Sequence, residues 1–208
     1  MSIIAKNTGG TSYEPIPAGS YAARCYQMIE VGTNEENILG KTKFLHKVRL
    51  TWELPTELKV FNEEKGEQAL VLSKEFTLSM HEKSTLRKYL ESWRGKAFTE
   101  LEAEAFDITA LLGVPCLLSV THKVAKNGNT YAEISSVSLL PKGMECPPQI
   151  NPSKELSFNN WDQDFFEGLP DFIKDKIRTS EEFVAMQMDA GMASDPTPIN
   201  DDEEGVPF

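Results

Sequence analysis

Cysteine and histidine are scarce in this sequence, with three residues of each type among 208. Cys25, Cys116 and Cys146 lie far apart and form no Cys-x-x-Cys pair. An odd, scattered set of this kind is typical of a reducing compartment rather than of a disulfide framework. Cys25 and Cys116 lie in apolar runs, so we expect both to be small core residues.

The sequence also lacks the motifs of the common enzyme and cofactor sites. It contains no Gly-x-Ser-x-Gly, Walker A or Gly-x-Gly-x-x-Gly sequence, and His46, His81 and His122 have no metal-ligand spacing. His46 and His122 fall in the apolar register of their strands, which favours a packed or rim position. Carboxylate pairs such as Glu63-Glu64 lie in loops that could not hold catalytic geometry. The sequence therefore predicts a non-enzymatic protein without a cofactor or a metal.

Long hydrophobic runs are missing as well. No apolar stretch approaches the roughly 18 residues that a membrane-spanning helix needs. The N-terminal residues Met1–Asn7 contain no hydrophobic signal-peptide segment. Together with the cysteine pattern, these absences predict a cytoplasmic protein with no membrane partner.

Negative charge is unevenly distributed along the chain. The net charge is −11, from 21 basic and 32 acidic side chains. Residues 1–150 hold 17 basic and 18 acidic side chains, whereas residues 151–208 hold 4 and 14. A nearly neutral body can carry a basic groove if its charges segregate by face. The overall acidity therefore does not exclude a nucleic-acid partner.

Alternating apolar residues predict strands at 21–31, 41–54, 69–80, 114–125 and 130–140. By this register Phe44, Trp52 and Phe76 are expected in the core, and Pro55 is expected to end the second strand. Glycine and asparagine predict a loop at 32–40, and the Asn-Gly pair in 126–129 predicts a tight hairpin.

One amphipathic helix is predicted at 81–93, because its apolar residues Leu86, Tyr89, Leu90 and Trp93 share one face. Gly95 is expected to follow its end. A second short helix is predicted at 107–112, with Asp107 as its N-cap.

The element order β-β-β-α-β-β is that of an OB-fold barrel, with five strands and a helix between strands three and four. Another small β-barrel or sandwich with one helical crossover is the alternative.

Three regions are predicted along the chain. Residues 1–146 form the OB-fold domain with an N-terminal arm, 147–188 an aromatic and acidic helical arm, and 189–208 a disordered acidic tail. In the arm, Thr179 and Glu182 have capping-box spacing. The many large apolar residues of the arm predict that it packs onto the barrel or onto a second subunit.

Binding of a single nucleic-acid strand requires cations for the phosphates and aromatic faces for the bases. Lysine and arginine recur on one face of the second strand, and further cations and tyrosines occur in the first strand and the closing hairpin. The predicted DNA-binding residues are Arg24, Tyr26, Lys41, Lys43, Lys47, Arg49, Lys123, Lys126 and Tyr131. The alternative is that the alternating cations are only the solvated outer face of a strand.

The last eight residues combine an acidic run with an apolar tip. Asp201, Asp202, Glu203 and Glu204 precede Gly205, and Val206, Pro207 and Phe208 follow it. A pocket on another protein could take the Phe208 ring while a basic rim takes the acids and the terminal carboxylate. We therefore expect the four acids, Val206, Pro207 and Phe208 to bind a partner protein.

This tip resembles the C-terminal peptide of bacterial and phage single-stranded-DNA-binding proteins (SSBs), whose acidic tail ends in Pro-Phe. The whole chain is similar to the SSBs of bacteriophages and prophages, with an OB body, an appended segment and an acidic tail. The resemblance implies sequence-tolerant binding of single-stranded DNA in phage replication and recombination, in the cytoplasm of a bacterial host. It also implies that the tip recruits replication, repair or recombination proteins.

Three features depart from the SSB pattern. Gly205 separates the acids from Val206, residues 94–113 form a long insert, and the aromatic arm replaces a Gly/Gln-rich linker. These departures leave the oligomeric state open. The alternative function is a protein-only adaptor or DNA mimic that binds a host replication or repair enzyme without touching DNA.

Overall fold

The structure, a computed structural model, describes residues 14–193. This part of the chain is mainly β, with six strands in one antiparallel sheet and several short helices. The elements in chain order are β1 Gly19–Ile38, β2 Lys41–Asn62, β3 Gly66–Thr77, α1 Thr85–Arg94, α2 Glu100–Glu104, a 3-10 helix Ile108–Leu111, β4 Pro115–Val124, β5 Thr130–Leu139, β6 Lys154–Leu156, α3 Gln163–Glu167, α4 Asp171–Arg178 and α5 Glu181–Ala193. The predicted mainly β character is confirmed, and β6 adds one strand to the five expected.

The hydrogen-bonded order of the sheet is β3-β2-β1-β4-β5, and β6 also pairs with β1. In the antiparallel β1–β4 pair, Ala23 lies opposite Cys116. β4 and β5 form a hairpin whose register shifts between Ser119 and Val120. β3 and β5 therefore lie at the two ends of this strand order.

The chain divides into two compact units. Among the described residues, the first comprises residues 14–29 together with Val48–Glu155. The second comprises Glu30–Lys47 and residues 156–193. β1 and β2 thus contribute residues to both units, a grouping that local sequence patterns did not indicate.

The core of the first unit lies between the sheet and α1. Trp52 of β2 and Trp93 of α1 are almost fully buried, with their ring centroids 5.7 Å apart. Leu86 and Leu90 complete the buried face of α1. Phe76 is buried as well. The predicted apolar face of the helix and the core positions of Trp52 and Phe76 are confirmed.

Local capping fixes where α1 begins and ends. The Ser84 hydroxyl accepts a hydrogen bond from the Arg87 N–H at 3.1 Å, so it satisfies one of the free donors of the first turn. Gly95 follows the last turn with a φ of +66°, a left-handed conformation that glycine adopts without steric cost. The predicted end of this helix at Gly95 is confirmed.

The second unit has its own apolar core. Its buried side chains include Val31 of β1 and Ile173 and Ile177 of α4. Trp161 packs between the rings of its aromatic neighbours, with centroid distances of 5.9 Å to Phe158, 4.9 Å to Phe166 and 5.6 Å to Phe183. The aromatic arm therefore packs against residues of the β1–β2 hairpin in this unit.

The predicted end of β1 and the predicted end of β2 were both wrong. β1 continues through the expected loop to Ile38, because the turn needs only Leu39 and Gly40, which both have positive φ, +53° and +77°. β2 continues past Pro55 to Asn62, because a proline removes one backbone donor without forcing the extended chain to turn. Phe44 is 59% exposed rather than buried, since strand register sets a face but not what covers it.

The start of α5 also differs in detail from the prediction. A helix begins where expected, but Thr179 and Glu182 do not form a capping box. The Ser180 hydroxyl accepts from the Phe183 N–H at 3.3 Å, and the Glu182 carboxylate instead accepts from the Thr33 N–H at 2.7 Å. A capping box does form between Thr99 and Glu102 at α2, and it was not predicted from the sequence. α5 extends to Ala193, within the range 189–208 that the sequence assigns to the tail.

Candidate nucleic-acid interface

The β4–β5 hairpin brings together three of the predicted DNA-binding residues. Lys123 lies directly opposite Tyr131 in the ladder, and their exposed fractions are 57% for the lysine side chain and 45% for the tyrosine. Lys126 is exposed in the connecting turn. The Ala125 N–H donates to the Asn129 carbonyl at 2.8 Å, and Gly128 has a φ of +84°, so the Asn-Gly prediction of a tight turn is confirmed. Cations and an aromatic face therefore share one exposed hairpin.

A carboxylate beside this hairpin contacts two lysines. Glu133 of β5 lies 2.5 Å from the Lys123 Nζ and 3.4 Å from the Lys74 Nζ. The hydrogen bond to Lys123 lowers the pKa of the Glu133 carboxyl, and the same contact raises the pKa of the Lys123 ammonium. Both groups therefore stay ionised at neutral pH, and their charges offset each other.

Lys74 of β3 is a member of this cluster that sequence reasoning missed. Its Nζ donates to the Ile134 carbonyl at 2.7 Å and lies 5.5 Å from the centre of the Tyr89 ring. The Tyr89 hydroxyl in turn donates to the Ser135 carbonyl at 2.7 Å. The sequence did contain a signal for Lys74. It lies two positions before the buried Phe76, and therefore on the same face of the strand.

The cations in the middle of β2 are paired with carboxylates. In the first unit, Arg49 Nη1 lies 3.2 Å from Glu75 of β3. In the second unit, Lys47 Nζ lies 3.2 Å from Glu36 of β1, with only 16% of the lysine side chain exposed. A phosphate that bound either cation would have to compete with a carboxylate.

The tip of the β1–β2 hairpin, in the second unit, presents cations in a different setting. Lys41 and Lys43 are both exposed, and they follow a turn at which Leu39 is 98% exposed. Phe44 follows on the opposite face of the strand. This tip again combines ammonium groups with exposed apolar and aromatic surface.

Arg24 lies at a different place, beneath the segment 146–151, and Tyr26 lies two residues further along β1. The Arg24 guanidinium donates to the carbonyls of Gly113, Cys146 and Pro147 at 2.6, 3.1 and 2.8 Å. Tyr26 is half-buried, and burial followed by the nearby Glu53 charge raises the pKa of its hydroxyl. The Arg24 side chain therefore supports the backbone of this segment.

Glu53 of β2 holds the same segment from its other end. Its carboxylate is fully buried and accepts from the Ile150 N–H at 2.6 Å, the Asn151 N–H at 2.8 Å and the Asn151 side-chain amide at 2.6 Å. Three donors can compensate the desolvation of a buried carboxylate. These residues, which the sequence assigned to the start of the helical arm 147–188, are thus pinned to β2.

The histidines expected in packed or rim positions have defined partners. In the second unit, His46 Nε2 lies 2.8 Å from Glu30 and Nδ1 lies 3.3 Å from Glu182. The hydrogen bond to Glu30 is the main cause of a raised pKa of the imidazole, and burial opposes it. His122 Nε2 lies 2.8 Å from the Ile16 carbonyl in the first unit.

Some expectations fall on other parts of the chain. The partner-binding residues Asp201 to Phe208 lie outside the described residues. Across residues 14–193, no group of three or more histidine, cysteine, aspartate or glutamate side chains is arranged to hold a metal ion. None of the helices in that range has the length and apolar character that crossing a membrane would require.

Comparisons with known proteins give no relative for this chain: no family model, curated protein or solved structure matches it.

Proposed function

We propose that this chain is a non-enzymatic, sequence-tolerant single-stranded-DNA-binding protein of the SSB type, acting in phage replication or recombination in a bacterial host. The observation that carries the proposal is the β4–β5 hairpin, where Lys123, Lys126 and Tyr131 are presented together to solvent. The lysines would neutralise phosphates, and Tyr131 would stack on a base. Both interactions tolerate any base sequence, because every nucleotide has a phosphate and a π-face.

The order of the strands supports an OB architecture for the first unit. The chain runs β1-β2-β3-α1-β4-β5, and the sheet follows β3-β2-β1-β4-β5. The hydrogen bond from Lys74 to Ile134 brings β3 next to β5. Closing the sheet at this seam would give a five-stranded barrel, with α1 packed against β3 and β5.

OB-folds contact nucleic acids through the strand 2–3 face and the loops after strands 1 and 4. In this chain those loops are the β1–β2 tip, with Lys41 and Lys43, and the β4–β5 turn, with Lys126. Each tip is proposed as a DNA contact in its own right. The acidic Pro-Phe end, Asp201 to Phe208, would recruit replication, repair or recombination proteins.

A titration of fluorescent oligo(dT) at two salt concentrations tests the proposal. The wild-type chain should bind at low salt, and its affinity should fall steeply as salt rises because phosphate contacts release counterions. Lys126→Gln should reduce the slope of log K against log salt by about 0.7, the value for one contact to a single strand. Tyr131→Ala should weaken binding by about 1–3 kcal/mol with little change in that slope.

Matched variants control for general effects of charge and hydrophobicity. Lys88→Gln removes one exposed lysine from α1, and Phe172→Ala removes an exposed aromatic ring from α4. Both should bind oligo(dT) as the wild type does. Absence of wild-type binding at low salt would contradict the proposed function.

A protein-only adaptor is the second candidate function, and the charge pairing favours it. Arg49, Lys47 and Lys123 each have a carboxylate partner, and Arg24 is bound to backbone carbonyls. A protein that does not bind nucleic acid could use its cations for such ion pairs and hydrogen bonds. For such an adaptor the oligo(dT) titration would show no binding, whereas a peptide-recognising host enzyme would still bind the tip.

A further inference from the structure

Glu133 occupies a position between two ammonium groups. Its two oxygens face different lysines, Oε2 at 2.5 Å from Lys123 Nζ and Oε1 at 3.4 Å from Lys74 Nζ. Like a phosphodiester, a carboxylate carries one negative charge and offers two oxygens to hydrogen-bond donors. The lysines of this cluster are therefore already arranged around an anion.

The two lysines differ in how firmly they are held. Lys74 is anchored by the Ile134 carbonyl and the Tyr89 ring, and only 21% of its side chain is exposed. Lys123 is 57% exposed, and it lies across the ladder from Tyr131. An incoming phosphate could therefore displace Glu133 by moving two surface side chains, while the strands and Lys74 stay in place.

We propose that Lys74 and Lys123 form a phosphodiester subsite that Glu133 occupies when no nucleic acid is bound, so that Glu133 sets the affinity of the hairpin for a strand. This inference rests on the proposed function and adds Lys74 and Glu133 to its binding residues. Tyr131 would stack on the base adjoining the phosphate in this subsite. Glu133 would act as a built-in competitor that keeps binding weak enough to reverse.

The salt dependence of binding distinguishes this arrangement from an ordinary surface ion pair. The salt slope reports the counterions that are released from the strand when its phosphates are neutralised. When a phosphate replaces Glu133, the carboxylate charge stays beside the bound strand, so the exchange neutralises little net charge and adds little to the slope. Removing the carboxylate frees one or two phosphate contacts, each worth about 0.7 in the slope for a single strand. Glu133→Gln should therefore raise the affinity and steepen the salt dependence together.

The experiment compares Glu133→Gln with Glu104→Gln in the full chain, by titration with fluorescent oligo(dT). Glu104 is exposed on α2, so its replacement removes the same charge away from the hairpin. We expect Glu133→Gln to tighten binding on the order of tenfold at low salt and to steepen the slope by about 0.7–1.4. We expect Glu104→Gln to stay within about twofold of wild type, since a single distant charge is largely screened.

A double-mutant cycle with Lys123→Gln tests the competition directly. In the wild-type background Lys123→Gln should weaken binding by less than about threefold, because Glu133 already offsets that charge. In the Glu133→Gln background the same substitution should remove most of the gain. Thermal unfolding checks that each variant is folded, and Glu133→Asn, which keeps an amide acceptor, replaces Glu133→Gln if that variant is unstable.

The outcomes separate the inference from the proposed function. If the wild type binds oligo(dT) but Glu133→Gln behaves like Glu104→Gln, or if the cycle shows simple additivity, the subsite is overturned while the proposed function stands. If none of the variants binds at low salt, both are overturned.

Discussion

The Lys74 ammonium donates a 2.7 Å hydrogen bond to the Ile134 carbonyl. This side-chain contact links β3 and β5, the strands at the two ends of the sheet order. Edge strands present backbone groups that need partners. Here β5 receives donors from Lys74 and from the Tyr89 hydroxyl of α1, which bonds the Ser135 carbonyl at 2.7 Å. Side-chain donors from β3 and α1 thus satisfy two backbone carbonyls of β5.

Lys74→Met should lower the free energy of unfolding by about 1–2 kcal/mol, because it removes a charged donor from a backbone carbonyl while keeping the aliphatic stem. Urea unfolding measures the change. Lys88→Met on the exposed face of α1 is the control and should change stability by less than about 0.5 kcal/mol. Equal effects of the two substitutions would show that the seam contact adds no stability.

Glu53→Ala should be among the most damaging substitutions in the first unit. It leaves the N–H groups of Ile150 and Asn151 without their acceptor, which is itself a fully buried carboxylate. The expected loss of stability is about 3 kcal/mol or more, since each orphaned donor costs about 1–3 kcal/mol. Hydrogen exchange should show faster exchange at residues 150 and 151, and unchanged exchange there would contradict the pinning of this segment. Glu57→Ala, at a partly exposed position of the same strand, is the control.

Gly32→Ala and Gly40→Ala separate steric clash from backbone strain. Both glycines have positive φ, +84° and +77°, so alanine costs about 1 kcal/mol at either position. At Gly32 the new Cβ would also lie 2.5 Å from the Ser180 Cβ, whereas at Gly40 it would meet nothing within 4 Å. Gly32→Ala should therefore destabilise the second unit clearly more than Gly40→Ala in urea unfolding. A smaller loss at Gly32 would mean that α5 does not begin against β1.

The packing of α5 should depend on pH through His46 and Glu182. The pKa of His46 is raised above its ordinary 6.5, chiefly by the bond to Glu30, so its contribution is complete below pH 6.5 and is lost as pH rises through the raised value. Burial acts to raise the pKa of Glu182, but its bonds with Thr33 outweigh burial and lower it below 4.5. The Glu182 contribution is present above pH 4.5 and is lost as pH falls through the lowered value.

Stability of the second unit should thus be greatest between about pH 4.5 and 6.5 and decline as pH rises through the raised pKa of His46. Trp161 fluorescence during urea unfolding at several pH values measures this, because Trp161 packs against Phe183 of α5. His46→Asn should flatten this decline at rising pH, and His122→Asn should leave it intact. A decline that persists in His46→Asn would assign it to another group.

Removal of residues 194–208 should tighten oligo(dT) binding and abolish recruitment of the partner enzyme. The removed segment has five acidic and no basic side chains, so it would compete with DNA for cationic sites. Titration of both chains at low and high salt measures the difference, which should shrink as salt screens the tail. Weaker binding after truncation would show that the tail does not compete. Phe208→Ala should lose the partner while leaving DNA affinity unchanged.

Much of the first unit follows from local pattern. The alternation of Leu50 and Trp52 with polar residues predicted a strand, and the spacing of Leu86, Leu90 and Trp93 predicted the helix that covers it. The Asn-Gly turn of the β4–β5 hairpin was equally readable. These signals are strong because burial on one face requires a fixed period in the sequence.

Only part of the candidate site could be predicted from the sequence, because such patterns report on neighbouring residues alone. Lys123 and Tyr131 were identified because a hairpin register is local. Lys74 and Glu133 meet across 59 positions of sequence, and nothing in the neighbourhood of either residue indicates the other. Arg24 illustrates the converse, since it was predicted to bind DNA but its guanidinium donates to the carbonyls of distant residues.

The sequence by itself determined which residues alternate, where α1 ends and where negative charge accumulates, since each depends on neighbours within a few positions. Only the tertiary structure decided which cations are paired, which segment covers Arg24 and Glu53, and how the β1–β2 hairpin joins the C-terminal helices in one unit. Those outcomes depend on side chains that become neighbours through chain closure. The energy of such contacts depends on burial and on the partner that folding brings close, and the local sequence specifies neither.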